Sequence, residues 1–381
     1  MVVMKQLFRD QLSPLELRSR LFATANKSGI YADRSRYGQG LMDLGAATNP
    51  WGVATFMDTR SSAPGSGGAR VDSSFLSLGA PFGDGLTQSL GQQEVAAFDS
   101  LGAPFWFEAA SFTVPSGGTS LATRLNDFLH PAQLRSIPET WQFNLQEKAT
   151  ATEIGHLALT NGASRLTMAG PQGVSATAFH KPQALEGLSF AWSPAPLPGI
   201  AFGAGYLNEQ DSLLGSSASG ALGGQLSGQT LFFTTELDTA LPAGWQLAAQ
   251  GELGMVGPSV ASSQFINDFS SLSTSAFRLA ASRPFANGST LRFSLSSPLR
   301  VDSGAADLSL PTGRTQDGSV TGRDFSASLV PTGRQLDLTA MVEFPALGGD
   351  ISLGATRSEQ PRHQRDALAE WAFFTGYRAS W

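Results

Sequence analysis

The chain has 381 residues, only 15% of them charged, with 42 glycines and 21 prolines. That is too charge-poor for a disordered polymer and too rich in turn residues for a continuous helical core. A formal charge of −6 without a Lys/Arg-rich stripe argues against a nucleic-acid partner, and the absence of cysteine excludes disulfides, thiolate nucleophiles and Cys-ligated zinc.

No run of about eighteen apolar residues occurs, so no transmembrane helix is predicted. Transmembrane strands stay open, because their alternating faces average out on a hydropathy scale. The N-terminus, MVVMKQLFRDQL, lacks the apolar core of a signal peptide.

In chain order, Ser13-Pro14-Leu15-Glu16 predicts a capping box with proline at the first helical position. The helix it opens sets Leu17, Arg20, Leu21 and Thr24 on one mostly apolar face. A Gly/Asn loop follows, then YGQGLMDLGAAT, which reads as a turn and a last helical segment.

On those residues the run SPLELRSRLFATANKSGIYADRSRYGQGLMDLGAAT resembles the C-terminal end of a subtilisin-like serine peptidase domain. Tyr37, Gly38, Gly40, Leu41, Asp43, Ala46 and Ala47 fit the family's turn and final Ala-rich helix. The family's Asp, His and Gly-Thr-Ser motifs would lie upstream of Met1, and His130, His156, His180 and His363 sit in no triad motif. A nucleophile needs a base within hydrogen-bond reach and a group orienting that base. Residues 1–58 are therefore expected to be the remnant of a truncated passenger and this chain not an enzyme. The resemblance implies a full-length parent that is a subtilisin-like serine endopeptidase.

Residues 59–74 read as a linker, opening on the small, polar TRSSAPGSGGAR. Residues 83–99 are weakly helical, 101–114 switch to strand character, and 120–134 read as a loop or short helix stopped at Pro131, with His130 a loop residue. From Trp141 onward the sequence is a train of alternating runs separated by Gly, Pro, Asn, Asp and Ser. The runs are 141–147, 187–193, 199–207, 230–238, 245–255, 275–285, 289–296, 304–310, 324–330, 336–344, 350–357 and a closing strand 371–381. About twelve strands suit an even-numbered bacterial barrel, and the better runs approach the nine to eleven residues a tilted strand needs to cross a bilayer. Trp245, Phe285, Phe344, Trp371 and Trp381 are candidates for interfacial girdles, and Glu108, Glu236, Glu252 and Glu343 for a lumen. In a closed barrel the aromatic C-terminal strand is the seam; in a soluble protein it is an unprotected edge. A soluble β-sandwich, β-helix or periplasmic barrel also alternates.

The segments 296–320 and 329–345 are similar to the C-terminal β-domain attached to subtilisin-like peptidases of Gram-negative bacteria, proteins that look like autotransporters. The resemblance implies an outer-membrane barrel through which a passenger reaches the cell surface. Residues 75–381 are then the β-domain, with 83–99 as a helix in its pore. The implied partners are outer-membrane lipid, the barrel-assembly machinery and the chain's own passenger, and the implied state is a monomer. The competing expectation is a soluble periplasmic or secreted β-domain assisting a protease.

No phosphate loop, calcium loop or spaced carboxylate pair is found. No catalytic, cofactor-binding or metal-ligating residue is therefore predicted. The cluster Arg357, Arg362, His363 and Arg365 reads as a solvated loop, with anionic lipid headgroups as the functional alternative.

Overall fold

The computed structural model describes residues 2–59, 68–115, 138–148, 154–346 and 348–379. The chain is mainly β, with few and short helices. Twelve strands form one antiparallel sheet: β1 Gln142–Gln146, β2 Ser164–Ala169, β3 Val174–Lys181, β4 Leu185–Trp192, β5 Ile200–Gln210, β6 Gln225–Ala240, β7 Gln246–Ala261, β8 Leu272–Pro284, β9 Thr290–Ser303, β10 Leu336–Ala346, β11 Gly349–Glu359 and β12 Glu370–Ala379. Their order in the sheet is their order in the chain, an up-and-down meander. The predicted mainly-β architecture with about twelve antiparallel strands is what the fold shows.

The predicted runs and the sheet differ in membership. Ser164–Ala169 and Val174–Lys181 are sheet strands without a counterpart in the alternation. The runs at 304–310 and 324–330 do form strands, Ala305–Arg314 and Val320–Ser328, but they pair as a hairpin that also takes Ile266–Phe269 and stays outside the sheet. The closing strand is present as β12, paired with β11 throughout. Among the described residues, β12 and β1 are the sheet's two terminal strands, with no ladder joining them; Trp381 lies outside the described residues.

At one end of the sheet the connections are short, seven residues at most: 170–173, 193–199, 241–245, 285–289 and 347–348. At the other, save 182–184, they are long: 147–163, 211–224, 262–271, 304–335 and 360–369. The described residues of the long connections, 154–163 of the first among them, fold together with residues 69–115 into a cap. Phe75–Leu78 pairs with Ser217–Ser219 of the β5–β6 connection and, in parallel, with Thr113–Pro115. Leu78, Phe82, Leu86 and Val95 pack in one core with Leu308, Leu310 and Leu329. Residues 83–99 belong to this cap and do not form one helix in a pore: Gly85–Leu90 is a single short helix and Glu94–Phe98 a strand paired with Pro104–Glu108. The Gly91-Gln92-Gln93 break and the four buried residues Val95, Ala96, Ala97 and Phe98 suit a strand covered on both faces.

The N-terminal segment carries four α-helices, α1 Val2–Leu7, α2 Pro14–Thr24, α3 Arg34–Tyr37 and α4 Leu44–Thr48, the last where the final helical segment was expected. The predicted capping box forms: Ser13 Oγ accepts from the Glu16 backbone N–H, and the Glu16 carboxylate accepts from the Ser13 backbone N–H at 2.8 Å. Met4, Phe8, Leu12 and Leu17 share a small core with Ala47 and with Ala103 of the cap. Arg20, read as the odd member of the apolar face, is buried. Its guanidinium donates to the carbonyls of Ala47 (2.6 Å) and Asn49 (2.7 Å) and to Asp99 Oδ2 (2.6 Å). Asp99 also accepts the backbone N–H groups of Trp51, Leu101 and Ala103. A buried ion pair persists only when its remaining donors and acceptors are met, as they are here. Arg314 of the hairpin adds a second tether, donating to Glu16 at 2.6 Å and to the Gly102 carbonyl at 2.9 Å.

Candidate functional site

The sheet's two faces differ in chemistry, and the register shows how. Rows of directly paired residues run across the ladders, such as Ala176, Phe190, Ala204, Phe233 and Leu253 over β3 to β7, and Phe293, Ala340, Ala355 and Phe373 over β9 to β12. This face is apolar and uncovered: Leu253 is 67% exposed, Phe233 55%, Phe190 50% and Phe373 77%. Its charged members Glu186, Arg283, Arg300, Asp302, Arg357 and Glu359 all lie within four residues of a strand end. On β7 the outward run Leu247 to Met255 is eight steps, roughly 27 Å along the strand and about 20 Å in height at a tilt near 40°.

Aromatic residues mark the band's rims. Trp141, Trp192, Trp245 and Phe285 sit at the tight-turn end, Trp245 stacked on Phe293 at 6.4 Å, while Trp371 lies at the other end with the Arg357 guanidinium 5.5 Å from its ring. With Phe344 two residues from the end of β10, four of the five girdle candidates are at strand ends; Trp381 lies outside the described residues. An exposed apolar surface of this breadth is unusual on a protein surrounded by water.

The other face is concave. His156 lies eight residues before β2 and opens the five-residue 3-10 turn His156–Thr160, after which the Ala163 N–H donates to the Thr160 carbonyl in a further turn. That places His156 within about 15 Å of β2. It nevertheless bonds Glu252 on β7 and Thr274 on β8, five and six strands away, which in a flat sheet would be about 24–29 Å. The sheet therefore curls around this connection.

Half of the concave face is polar. Near the tight turns the inward row Glu236, Gln250, Arg278 and Ser296 crosses β6 to β9, with Arg292, Ser294 and Glu343 beside it. Of the lumen candidates, Glu236, Glu252 and Glu343 face inward in the sheet, whereas Glu108 is in the cap. Towards the long connections the same face becomes apolar: Leu207, Val256, Leu272 and Val301 are at most 1% exposed, and the last three pack into the cap core. The interior expected to be a polar route throughout is filled at this end.

At the junction of the two halves sits a buried polar cluster. Glu252 Oε1 accepts the backbone N–H of His156 (2.6 Å) and its Nδ1–H (2.7 Å), Nε2 lies 3.0 Å from Thr274 Oγ1, and the ring stacks on Phe232 at 5.3 Å. A hydroxyl, an imidazole and a carboxylate in this order can act as nucleophile, base and orienting group. Here none of the three is more than 3% exposed, so no substrate reaches the hydroxyl, and the cluster's chemistry is that of a clasp. The pairing was not legible in sequence: the two ionisable residues are 96 positions apart.

Of the other histidines, His180 is exposed near the end of β3 and His130 lies outside the described residues. His363 belongs to a buried turn, accepting the Gln335 N–H at Nδ1 (3.0 Å) and facing the Leu299 carbonyl with Nε2 (3.0 Å). Burial is the main cause that pushes its pKa down to about 4; Arg300 and Arg334 add to it, while the Leu299 hydrogen bond and Asp302 oppose it. It is thus separated from the arginines of its sequence cluster: Arg357 pairs with Glu359, and Arg362 lies 4.0 Å from Glu370.

Among the described residues no group of His, Asp and Glu is arranged to hold a metal ion, and no helix is long and apolar enough to cross a membrane. No protein-family model matches the chain, and no curated protein matches it. Among solved structures it is similar to the β-domain of the Bordetella autotransporter Brka, at 14% identity over 63% of this chain and 97% of that one, with a TM-score of 0.22. A likeness that slight carries neither fold nor function; the architecture rests on the ladders and faces described above.

Proposed function

We propose that residues 75–381 are an outer-membrane β-domain of the autotransporter kind, which anchors and exports a passenger. The observation that carries this reading is the apolar, uncovered convex face, with its charges confined to strand ends and its aromatics at the rims. Lipid is the surrounding that makes such a face stable, and a bilayer requires every backbone N–H and C=O to be paired. In this reading β12 therefore closes onto β1. Short turns at one end and long connections at the other follow the pattern of bacterial barrels; in this reading the cap lies outside the cell and the sheet's two termini on the periplasmic side.

Residues 75–115 are folded at the long-connection end, whereas β1 starts at the tight-turn end, where Trp141 packs against Gly170.

The passenger in this reading is the end of a subtilisin-like peptidase, represented by residues 1–58 and docked on the cap through Arg20 and Arg314. The peptidase of this reading is a serine endopeptidase, and the β-domain a non-enzymatic, monomeric membrane anchor inserted by the barrel-assembly machinery. The test is flotation with phospholipid vesicles together with gel migration before and after boiling. The expected result is co-flotation and a compact form that shifts only on heating. A monodisperse protein in detergent-free buffer that does not float would overturn the reading.

A further inference from the structure

The bore of this proposed barrel has two ends of different character. The tight-turn end is polar. The long-connection end is filled by Leu207, Val256, Leu272 and Val301, with the connection 154–163 lying across them. That connection is held at both sides. Glu252 grips His156 through two hydrogen bonds, and the Ile154 carbonyl accepts from the Leu299 N–H of β9 at 3.1 Å. The fit is close. A Cβ on Gly155 would fall on the Glu252 carboxylate, and one on Gly254 would fall on the His156 ring. Ile154 is part of the cap core and Leu159 packs against it, so plug and cap are one hydrophobic body.

From this arrangement we infer that residues 154–163 are a latched plug that seals the bore at its long-connection end, and that the fold described here is the closed state. The clasp of Glu252 on His156 is the bolt. With it in place, solute entering from the tight-turn side meets the polar half of the concave face and stops at His156. Removing the Glu252 carboxylate leaves two buried donors of His156 without an acceptor, and such donors regain partners only by moving to water. The plug then withdraws from β7 and β8. The inference rests on the membrane reading above, and the experiment separates the two.

The chain has no cysteine, so a single engineered thiol reports without background. Ser175→Cys, inward on β3 in the polar half, is reconstituted in vesicles as the full chain and exposed to a bulky, membrane-impermeant maleimide on one side at a time. A thiol placed separately in the 242–244 turn (Ala243→Cys) fixes the orientation. Expected: Ser175→Cys reacts from the tight-turn side and is protected from the other, and adding Glu252→Ala abolishes that protection. In planar bilayers the unsubstituted chain gives a flat trace, and Glu252→Ala gives discrete conductance steps. If the unsubstituted chain conducts, or Ser175→Cys reacts from both sides, the seal is refuted while membrane insertion stands. Persistent protection in a Glu252→Ala protein that still shows heat-modifiable migration refutes the bolt. Failure to float at all refutes the membrane reading instead. Because the first two results use protein with the clasp intact, they decide the seal even if Glu252→Ala fails to fold.

Discussion

Replacing Leu253 by arginine separates a lipid-facing surface from a water-facing one. The outward run on β7 centres on Gly251, so Leu253 lies two residues, about 7 Å along the strand and about 5 Å in height, from the centre of the apolar band. Arginine on the lipid face of an outer-membrane barrel costs roughly 2–4 kcal/mol at the midplane and about 0–1 at the interface. At this depth the expected cost of Leu253→Arg is about 2 kcal/mol. Leu253 is 67% exposed, and on a protein in water such a substitution would change stability by no more than about 0.5 kcal/mol. The assay is urea unfolding in phospholipid vesicles, followed by tryptophan fluorescence. Ser189→Arg on the concave face of β4 is the control, and its effect should stay within about 1 kcal/mol, since substitutions facing a wet lumen are tolerated. A Leu253→Arg cost below about 0.5 kcal/mol, or one no larger than that of Ser189→Arg, refutes the lipid-facing assignment.

The remaining predictions concern the cap and the clasp. Asp99→Ala leaves the Arg20 guanidinium buried without its counter-charge, at a cost of about 3–5 kcal/mol; faster proteolysis of residues 1–58 and a lower midpoint of thermal unfolding check it. His363 has a folded pKa of about 4 against an unfolded value of 6.5. The unfolded chain therefore binds the extra proton between these limits, so stability is complete above pH 6.5 and falls as pH drops towards 4. The loss amounts to about 3 kcal/mol, and His363→Gln should flatten that segment of the stability–pH curve. Gly254→Ala drives a methyl group into the His156 ring, where nothing can yield; overpacking of this kind costs about 1–3 kcal/mol, read by the same urea titration, whereas Gly251→Ala on the open convex face should be near neutral.

Much of the sheet was legible because its two faces meet different surroundings, and alternation records that difference directly. Where the contrast is weak the signal fades. Val174–Lys181 sets Ala176 and Ala178 against Ser175 and Thr177, residues too alike in size and polarity to show a period. Ser164–Ala169 offers only Leu166 and Met168 on its outer face. The opposite failure is Ala305–Arg314, which alternates well but buries Ala306, Leu308 and Leu310 in the cap; a period of two reports that a strand has an inside, without saying which sheet it joins. The capping box at Ser13 was readable because its partners lie three residues apart. The clasp was not, because Glu252 and His156 meet only after the sheet has curled. Glu252 could be placed on a polar face, but nothing in its neighbourhood announces an imidazole.

The separation in sequence between contacting parts also sets an order of assembly. Every ladder of the sheet joins strands that are consecutive among the twelve, so pairing can advance hairpin by hairpin with modest loop-closure entropy at each step. The cap is built otherwise: Trp106 donates to the Thr312 carbonyl across 206 residues, and Arg314 reaches Glu16 across 298. Those contacts carry a large closure penalty and wait until the 305–328 hairpin exists. Kinetics alone therefore delays the cap until the meander is nearly complete.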